Sequence, residues 1–307
     1  MSIGVSRLRS NATLMPIMLL TSILLVLCPV LHRAGRRNQV TEQRRLKNDL
    51  SSASCRAAAL GSTPDRANLT ALGRPLPKYM LKAAKGDECR ALHQWSQTLR
   101  WRCDIGDEAL LAQPHPNLAK IAPHYPQFLH YPDRQGRLTY WELIGKIDQH
   151  ALMEAGLTPN DIVEHYIWNT LFTWDIAACD DAAEVTIIVD MTGFCLAHLT
   201  PTVLSIFYRV AKLLRRHFPQ REHGLYFINA PNWSAQAYDM VTPFVSRQQR
   251  DKVQMHSTDT SLDLLRTLIA PKNLPVAYGG TGPPLGSSPW ERRKNRVALK
   301  GRRKVRC

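Results

Sequence analysis

The sequence predicts an α/β fold in which short apolar strands alternate with amphipathic helices. Three observations carry this. Four segments, residues 139–148, 184–193, 217–244 and 273–282, each hold a short apolar run ending in turn residues, and each is read as containing a strand. The stretches between them space their apolar residues as helices do and carry clear start signals. At 307 residues the chain can enclose one good-sized core with extensions on either side.

From the amino terminus, residues 12–31 are uncharged and mostly apolar, enough helix to cross a bilayer core of about 30 Å. Arg7 and Arg9 precede this run, and Arg33, Arg36, Arg37, Arg44, Arg45 and Lys47 follow it. A retained transmembrane helix is expected, with residues 1–47 as anchor and basic flanks. A cleaved signal or transit segment and a soluble core helix are the other readings, and no A-x-A-like site follows the run. The heavier positive flank lies on the C-terminal side, which places the rest of the protein in the cytosol. An endoplasmic reticulum or Golgi membrane is preferred, a plastid membrane being the alternative. Residues 48–75, rich in Ser, Ala, Arg, Gly and Pro, read as a linker. Helical spacing resumes at Leu76 and runs through Met80, Leu81, Ala84, Cys89, Leu92, Trp95 and Leu99, giving a short helical subdomain over residues 76–113.

Further on, Thr158-Pro159-Asn160-Asp161 supplies an N-cap, a first-turn proline and an acid at the third position. Thr200-Pro201 opens the next helix, whose last turn carries Lys212, Arg215 and Arg216 to suit the negative end of the dipole. A short helix is read from Ser261 through Leu268, stopped by Pro271. In the third strand segment, Leu225-Tyr226-Phe227-Ile228 reads as buried, and Asn229-Ala230-Pro231 ends it because proline cannot continue a ladder.

The net charge of +15 sits at the ends. Residues 1–47 hold eight Lys/Arg against Glu42, residues 291–307 hold nine against Glu291, and the rest balances at 23 of each sign. A basic end suits anionic lipid or nucleic acid, a solvated tail being the plain alternative. With an anchor at the other end, an anionic membrane surface is the expected partner of residues 283–307 and no nucleic acid is expected. The seven cysteines form no CxxC pair and are odd in number, so neither a zinc site nor a disulfide framework is indicated. The spacings of His115, His124 and His130 match no common metal motif. Gly279-Gly280-Thr281-Gly282 leads into Pro283-Pro284 rather than a helix, which rules out a phosphate loop of the P-loop or dinucleotide type. There is no G-x-S-x-G nucleophile elbow. No catalytic residue, metal or cofactor is expected, and Cys307 stands at the end rather than four residues before it, which excludes prenylation.

Taken in order, the four strand segments resemble the CRAL-TRIO lipid-binding domain of the yeast phosphatidylinositol/phosphatidylcholine transfer protein type, over residues 114–282. The resemblance implies a mostly parallel sheet, helices on one face, a lipid pocket on the other, and lipid binding without chemistry. It also implies site residues. A family lysine that follows the Pro-Phe of a mobile gate helix contacts the inositol phosphate, and its counterpart is Lys252. A family glutamate is represented by Gln220 and a threonine by Gln249, both still able to donate and accept hydrogen bonds. The family's serine and threonine on the phosphatidylcholine side align with Val185 and Ile187, so that headgroup is not expected. The gate aligns with residues 234–244, where Trp233, Tyr238, Val241 and Phe244 give an apolar, aromatic face. An ordinary surface lysine and a permanently packed helix are the plain readings of Lys252 and of the gate. The function expected is that of a membrane-anchored binder, and transfer or presentation protein, of phosphatidylinositol or a related lipid. The alternatives are a carrier of a retinoid, tocopherol or sterol, and a non-transferring membrane adaptor.

Overall fold

The computed structural model describes residues 74–241 and 250–302, so the expected anchor and nearly all of the linker lie outside the described residues. Among those described, no helix is long and apolar enough to cross a membrane.

The helical subdomain begins the described chain with α1 (Lys78–Ala83), α2 (Glu88–Ile105) and α3 (Asp107–Ala112). The single helix suggested between Leu76 and Cys103 is broken, because Lys85 and Gly86 adopt φ of 55° and 87° and Asp87 then caps α2 by accepting from the Arg90 N–H. Tyr79, Met80, Trp95 and Leu99 close a small core of their own. After a short α4 (Leu118–Ile121), the elements are β1 (Gln127–His130), β2 (Thr139–Leu143), α5 (Gln149–Glu154), α6 (Pro159–Phe172), β3 (Val185–Asp190), α7 (Pro201–His217), β4 (Glu222–Ile228), α8 (Asn232–Val241), β5 (Val253–Met255), α9 (Thr258–Leu268) and α10 (Pro289–Lys300). Helices α6 and α7 start where the sequence indicates: Thr158 and Asp161 form a reciprocal capping box, and Thr200 accepts from the Val203 N–H.

The five strands lie in the order β1-β2-β3-β4-β5. The β1–β2 pair is antiparallel and the other three pairs are parallel. One expected strand is absent. Residues 273–282 form a 3₁₀ turn, Val276–Tyr278, with a single bridge between Pro275 and Gly282. The chain folds tightly back on itself there, and a Cβ at Gly280 would lie 2.0 Å from the Leu274 carbonyl oxygen. Two strands that the sequence did not mark, β1 and β5, frame the sheet instead.

Registered residues of a sheet share a face. One face carries Tyr140, Glu142, Val185, Ile187, Val189, Leu225, Phe227, Val253 and Met255. The other carries Trp141, Leu143, Ile188, Asp190, Tyr226 and Ile228. Helices were expected on one face only, yet both are covered. On the first face Val185 packs with Trp168, Leu171 and Phe172 of α6. On the second, Trp141, Ile188 and Ile228 pack with Leu265 and Ile269 of the α9 end and with Leu274. The apolar stripe of α9 has to be buried somewhere, and the second face receives it. Asp190, at the end of β3, is a structural anchor. Its carboxylate accepts from Asn229 Nδ2, Thr192 N and Oγ1, and the Tyr278 hydroxyl, tying the 273–282 turn to the sheet.

The basic segment after residue 282 is not a free tail through residue 302. Ser288 caps α10, and the helix lies along β1. The Ser288 hydroxyl donates to the Leu129 carbonyl at 2.5 Å, and the Leu129 N–H donates to Glu291 Oε2 at 2.8 Å. The Lys294 ammonium donates to the Gln127 carbonyl at 2.9 Å and pairs with Glu291 at 2.8 Å. Arg292, Arg296 and Lys300 remain exposed on the outer side.

Among the described residues four histidines are buried: His115, His130, His165 and His217. Burial lowers all four from the ordinary value of 6.5, His130 and His217 to about 4. At His130 and His217 the unfolded chain takes up protons below about pH 6.5 that the folded chain refuses until about pH 4. Stability should therefore be flat above pH 7 and fall between pH 6.5 and 4, by about 1.4 kcal/mol per pH unit for each such group. Among the described residues neither ring nitrogen of His130 has a partner at full hydrogen-bond geometry, Asn273 acting on it only weakly, and the ring sits edge-on to Tyr131 and Trp141. His130→Phe should flatten this slope measurably in denaturant unfolding series at pH 7 and pH 5; an unchanged slope would remove His130 from the account.

Candidate functional site

The first face of the sheet is closed at one side and open at the other. Tyr140, Ile187, Leu225 and Val253 form one row across β2 to β5, and Glu142, Val189, Phe227 and Met255 form the next. Glu142 is buried against Tyr166 of α6 and Val189 is buried with Ile144, Met191 and Ala230, whereas Ile187, Leu225, Phe227, Val253 and Met255 stay only half-buried. A cluster joins Ile187, Leu225 and Phe227 to Ile144, Met191, Phe194 and Ala230. Apolar side chains from three adjacent strands are thus left incompletely covered, which is the ground an apolar ligand requires.

Helix α8 begins just beyond the end of β4, where the Pro231 carbonyl accepts from the Ser234 hydroxyl and N–H. Trp233 is half-buried, its ring 6.1 Å from that of Phe194, so the helix stands beside the open cluster. Tyr238 is half-buried on the same helix, and burial raises its hydroxyl pKa. Val241 closes the described part of α8. Phe244 and Gln249 lie outside the described residues.

Lys252 and Gln220 fall at the opposite, N-terminal ends of β5 and β4. The Lys252 ammonium donates to the Glu222 carbonyl at 2.5 Å and lies 4.0 Å from the Glu222 carboxylate, with 18% of its side chain exposed. Its own carbonyl accepts from the Leu225 N–H, which fixes it beside β4. Gln220 holds a left-handed backbone, φ 61°, and its buried Oε1 has no partner among the described residues. The two therefore flank Glu222, one engaged and the other with an open acceptor.

A polar group that the sequence reading did not single out lies at the closed end of the first face. The hydroxyls of Tyr125 and Tyr166 donate to Glu142 Oε1, and Gln127 Nε2 reaches the same oxygen at 3.4 Å. Burial pushes the Glu142 carboxyl up, against the pull of these donors. Next to it His165 contacts His115 at 3.1 Å and Gln127 Oε1 at 3.2 Å, and Asn169 donates to the same Gln127 oxygen at 2.8 Å. An acid set between Trp141 and Leu143 in the strand Thr139–Leu143 was the available signal, since a buried carboxylate in a strand demands donors nearby.

The family profile described as the CRAL/TRIO domain matches residues 122–280, more than half of the chain. The protein belongs to the CRAL/TRIO domain family. It is similar to the SEC14 cytosolic factor of Candida glabrata, 25% identical over 208 residues that cover 65% of this chain and 68% of that one. The phosphatidylinositol/phosphatidylcholine transfer protein SFH7 of Arabidopsis thaliana is 26% identical over 209 residues, 65% of this chain. The match takes in only 38% of that longer relative. The crystal structure of Sfh5 superposes with a TM-score of 0.52 and 19% identity, covering 66% of this chain and 71% of that one, which shows a shared fold.

The two faces should respond differently to truncation. Ile188, fully buried on the second face, should cost about 2–5 kcal/mol as Ile188→Ala. Phe227→Ala, from the half-buried rows, should cost less in melting yet reduce uptake of a fluorescent phospholipid more. Equal losses of stability with equal uptake would mean that Phe227 is ordinary core.

Proposed function

We propose that this protein binds one phospholipid at a time, with its acyl chains against the apolar rows of β3–β5 and its headgroup near Gln220 and Lys252. The observation that carries this reading is the incomplete cover of Ile187, Leu225, Phe227, Val253 and Met255 beside α8. Burying acyl CH₂ groups contributes about 0.8 kcal/mol each, so such a surface can supply most of the affinity for two chains. Family membership and the similarity to SFH7, a phosphatidylinositol/phosphatidylcholine transfer protein, support it. In this reading α8 and the residues after it act as the gate, opening at a membrane to exchange the lipid and closing over it.

Phosphatidylinositol is the preferred headgroup class. The unpartnered Gln220 acceptor suits inositol hydroxyls, and Lys252 can leave the Glu222 carbonyl for a phosphate. A non-phospholipid ligand is the second reading, favoured by the engagement of Lys252 with Glu222 and by the hydroxyl-free Val185 and Ile187. The reading also includes retention of residues 12–31 as a membrane anchor with the domain in the cytosol. The exposed Arg292, Arg296 and Lys300 of α10 would then rest on anionic lipid, at roughly 1 kcal/mol per residue near the surface.

Two experiments test these points. Lys252→Ala should weaken phosphatidylinositol binding about tenfold or more, the loss expected for a charge-assisted contact of roughly 1.5–3 kcal/mol, with little change in melting. Undiminished binding together with co-purification of a retinoid or sterol, read by mass spectrometry of the extracted ligand, would transfer the assignment to the second reading. For the anchor, the full chain should resist alkaline carbonate extraction from membranes, and a chain starting at Ser51 should not. Protease added to intact microsomes should degrade the domain, and complete protection would reverse the orientation.

A further inference from the structure

Just beyond the end of β3 the chain turns at Gly193, φ 80°, and enters the 3₁₀ turn Leu196–His198, with Cys195 immediately before it. Three thiols of the described residues are exposed, Cys89, Cys179 and Cys195. Cys195 differs from the other two in what lies beside it. Its Sγ is 3.2 Å from His198 Nδ1, whereas among the described residues no imidazole is hydrogen-bonded to Cys89 or Cys179.

The backbone fixes which form of the imidazole faces the sulfur. The Cys195 N–H donates to the same Nδ1 at 3.1 Å, so in the neutral ring this nitrogen carries the lone pair and the proton sits on Nε2. Nδ1 is thereby the acceptor that the thiol proton needs. Once it holds that proton it can donate to the Cys195 carbonyl, 3.2 Å away. The ring itself is held in place. Phe194 stacks on it with centroids 5.4 Å apart, and the His198 carbonyl accepts from Gln149 Nε2 at 2.8 Å. A thiol, a base within reach and groups that orient the base make an activated sulfur nucleophile.

The neighbours of this sulfur set what it can take. Phe194, the residue before it, packs into the cluster of Ile187, Leu225 and Phe227 that remains partly uncovered, and the Trp233 ring of α8 lies 6.1 Å from the Phe194 ring. A nucleophile at the border of apolar ground meets most readily an electrophile carried on a hydrocarbon chain, because the chain binds there and brings the reacting carbon to the sulfur.

We propose that Cys195 is a site of S-acylation by a long-chain acyl thioester, with His198 as the base and the acyl chain laid against Phe194 and its cluster. His198 Nδ1 takes the thiol proton as the sulfur attacks the thioester carbonyl carbon. The bond from that carbon to the carrier's sulfur then breaks, and the carrier leaves as a free thiol with the proton returned by His198. One thioester replaces another, and nothing is oxidised or reduced. The site uses the uncovered apolar cluster and does not depend on which lipid the rows of β3–β5 hold.

The test uses the full-length protein, incubated with palmitoyl coenzyme A below its micelle concentration or with acetyl coenzyme A. Peptide mass spectrometry reads the rate at each cysteine, and hydroxylamine, which cleaves thioesters, should remove the label. Cys195 should be palmitoylated about tenfold faster or more than Cys89 and Cys179. His198→Gln should slow Cys195 about tenfold or more and leave Cys89 and Cys179 unchanged. Taken relative to the same ratio at Cys89, Cys195 should prefer the palmitoyl donor over the acetyl donor, and Phe194→Ala should reduce that preference. Should His198→Gln lose its melting transition, the ranking of the three thiols and of the two donors in the unaltered protein still decides. Cys195 labelled no faster than Cys89 and Cys179, a rate that folded His198→Gln leaves unchanged, or no preference between the donors overturns the site.

Discussion

The edge of β1 is the constraint on which the rest of the architecture depends. An unpaired strand edge exposes donors and acceptors that must be satisfied, and among the described residues no further strand does so. Side chains of α10 do it instead: Ser288 and Glu291 take the two main-chain groups of Leu129, and Lys294 takes the carbonyl of Gln127. Once the helix is pinned in this way, Val297 and Ala298 fall against Leu111 of the helical subdomain, and the Ala298 carbonyl accepts from His115 N. The Arg302 N–H then bonds the Leu111 carbonyl. A buried Glu–Lys pair contributes little net stability by itself, but it fixes geometry, and removing either member would strand the other. The far end of the chain is thereby made part of the floor that supports its beginning.

From this follows the asymmetry of the first face. The β1–β2 side is sealed by α6 above and α10 alongside, with Tyr125 and Tyr166 satisfying the buried Glu142. The β4–β5 side has no such cover among the described residues, and its apolar side chains remain half in solvent. The second face is shut along its length by α9 and the 273–282 turn, locked through Tyr278 to Asp190. A rigid sheet with one closed face and one partly open face is a suitable support for a ligand that must enter and leave.

Much of this was legible in the sequence because the signals were local. Thr158 with Asp161, and Thr200 ahead of Pro201, announce helix starts whose hydrogen bonds close within four residues. The cores of β3 and β4, Ile187–Val189 and Leu225–Ile228, are continuous apolar runs, as expected of strands flanked on both sides. What the sequence hid depends on distant partners. Strand β1 contains Gln127 and His130 and reads as polar until α10 and α6 are placed against it. The segment 273–282 has strand composition but spends its hydrogen bonds within itself and on Asp190. Of the candidate site, Lys252 and Gln220 were found through family resemblance. The basic C-terminal segment read as a tail for an anionic membrane surface because Glu291 and Lys294 declare themselves structural only once β1 is beside them.

The shortness of β5 has a consequence for the life of the protein between encounters. A sheet that ends in a long, apolar, straight strand invites a second chain to add itself by main-chain pairing, and a protein with a partly uncovered apolar floor would be especially exposed to that fate. The strand that pairs with β4 is Val253–Met255, with Lys252 and His256 adding bonds at its two ends. Three residues complete the apolar rows with two side chains, Val253 and Met255, yet offer too little ladder for a stranger to register against. The protein can thus keep apolar ground accessible to a small ligand while giving another protein molecule almost nothing to zip onto.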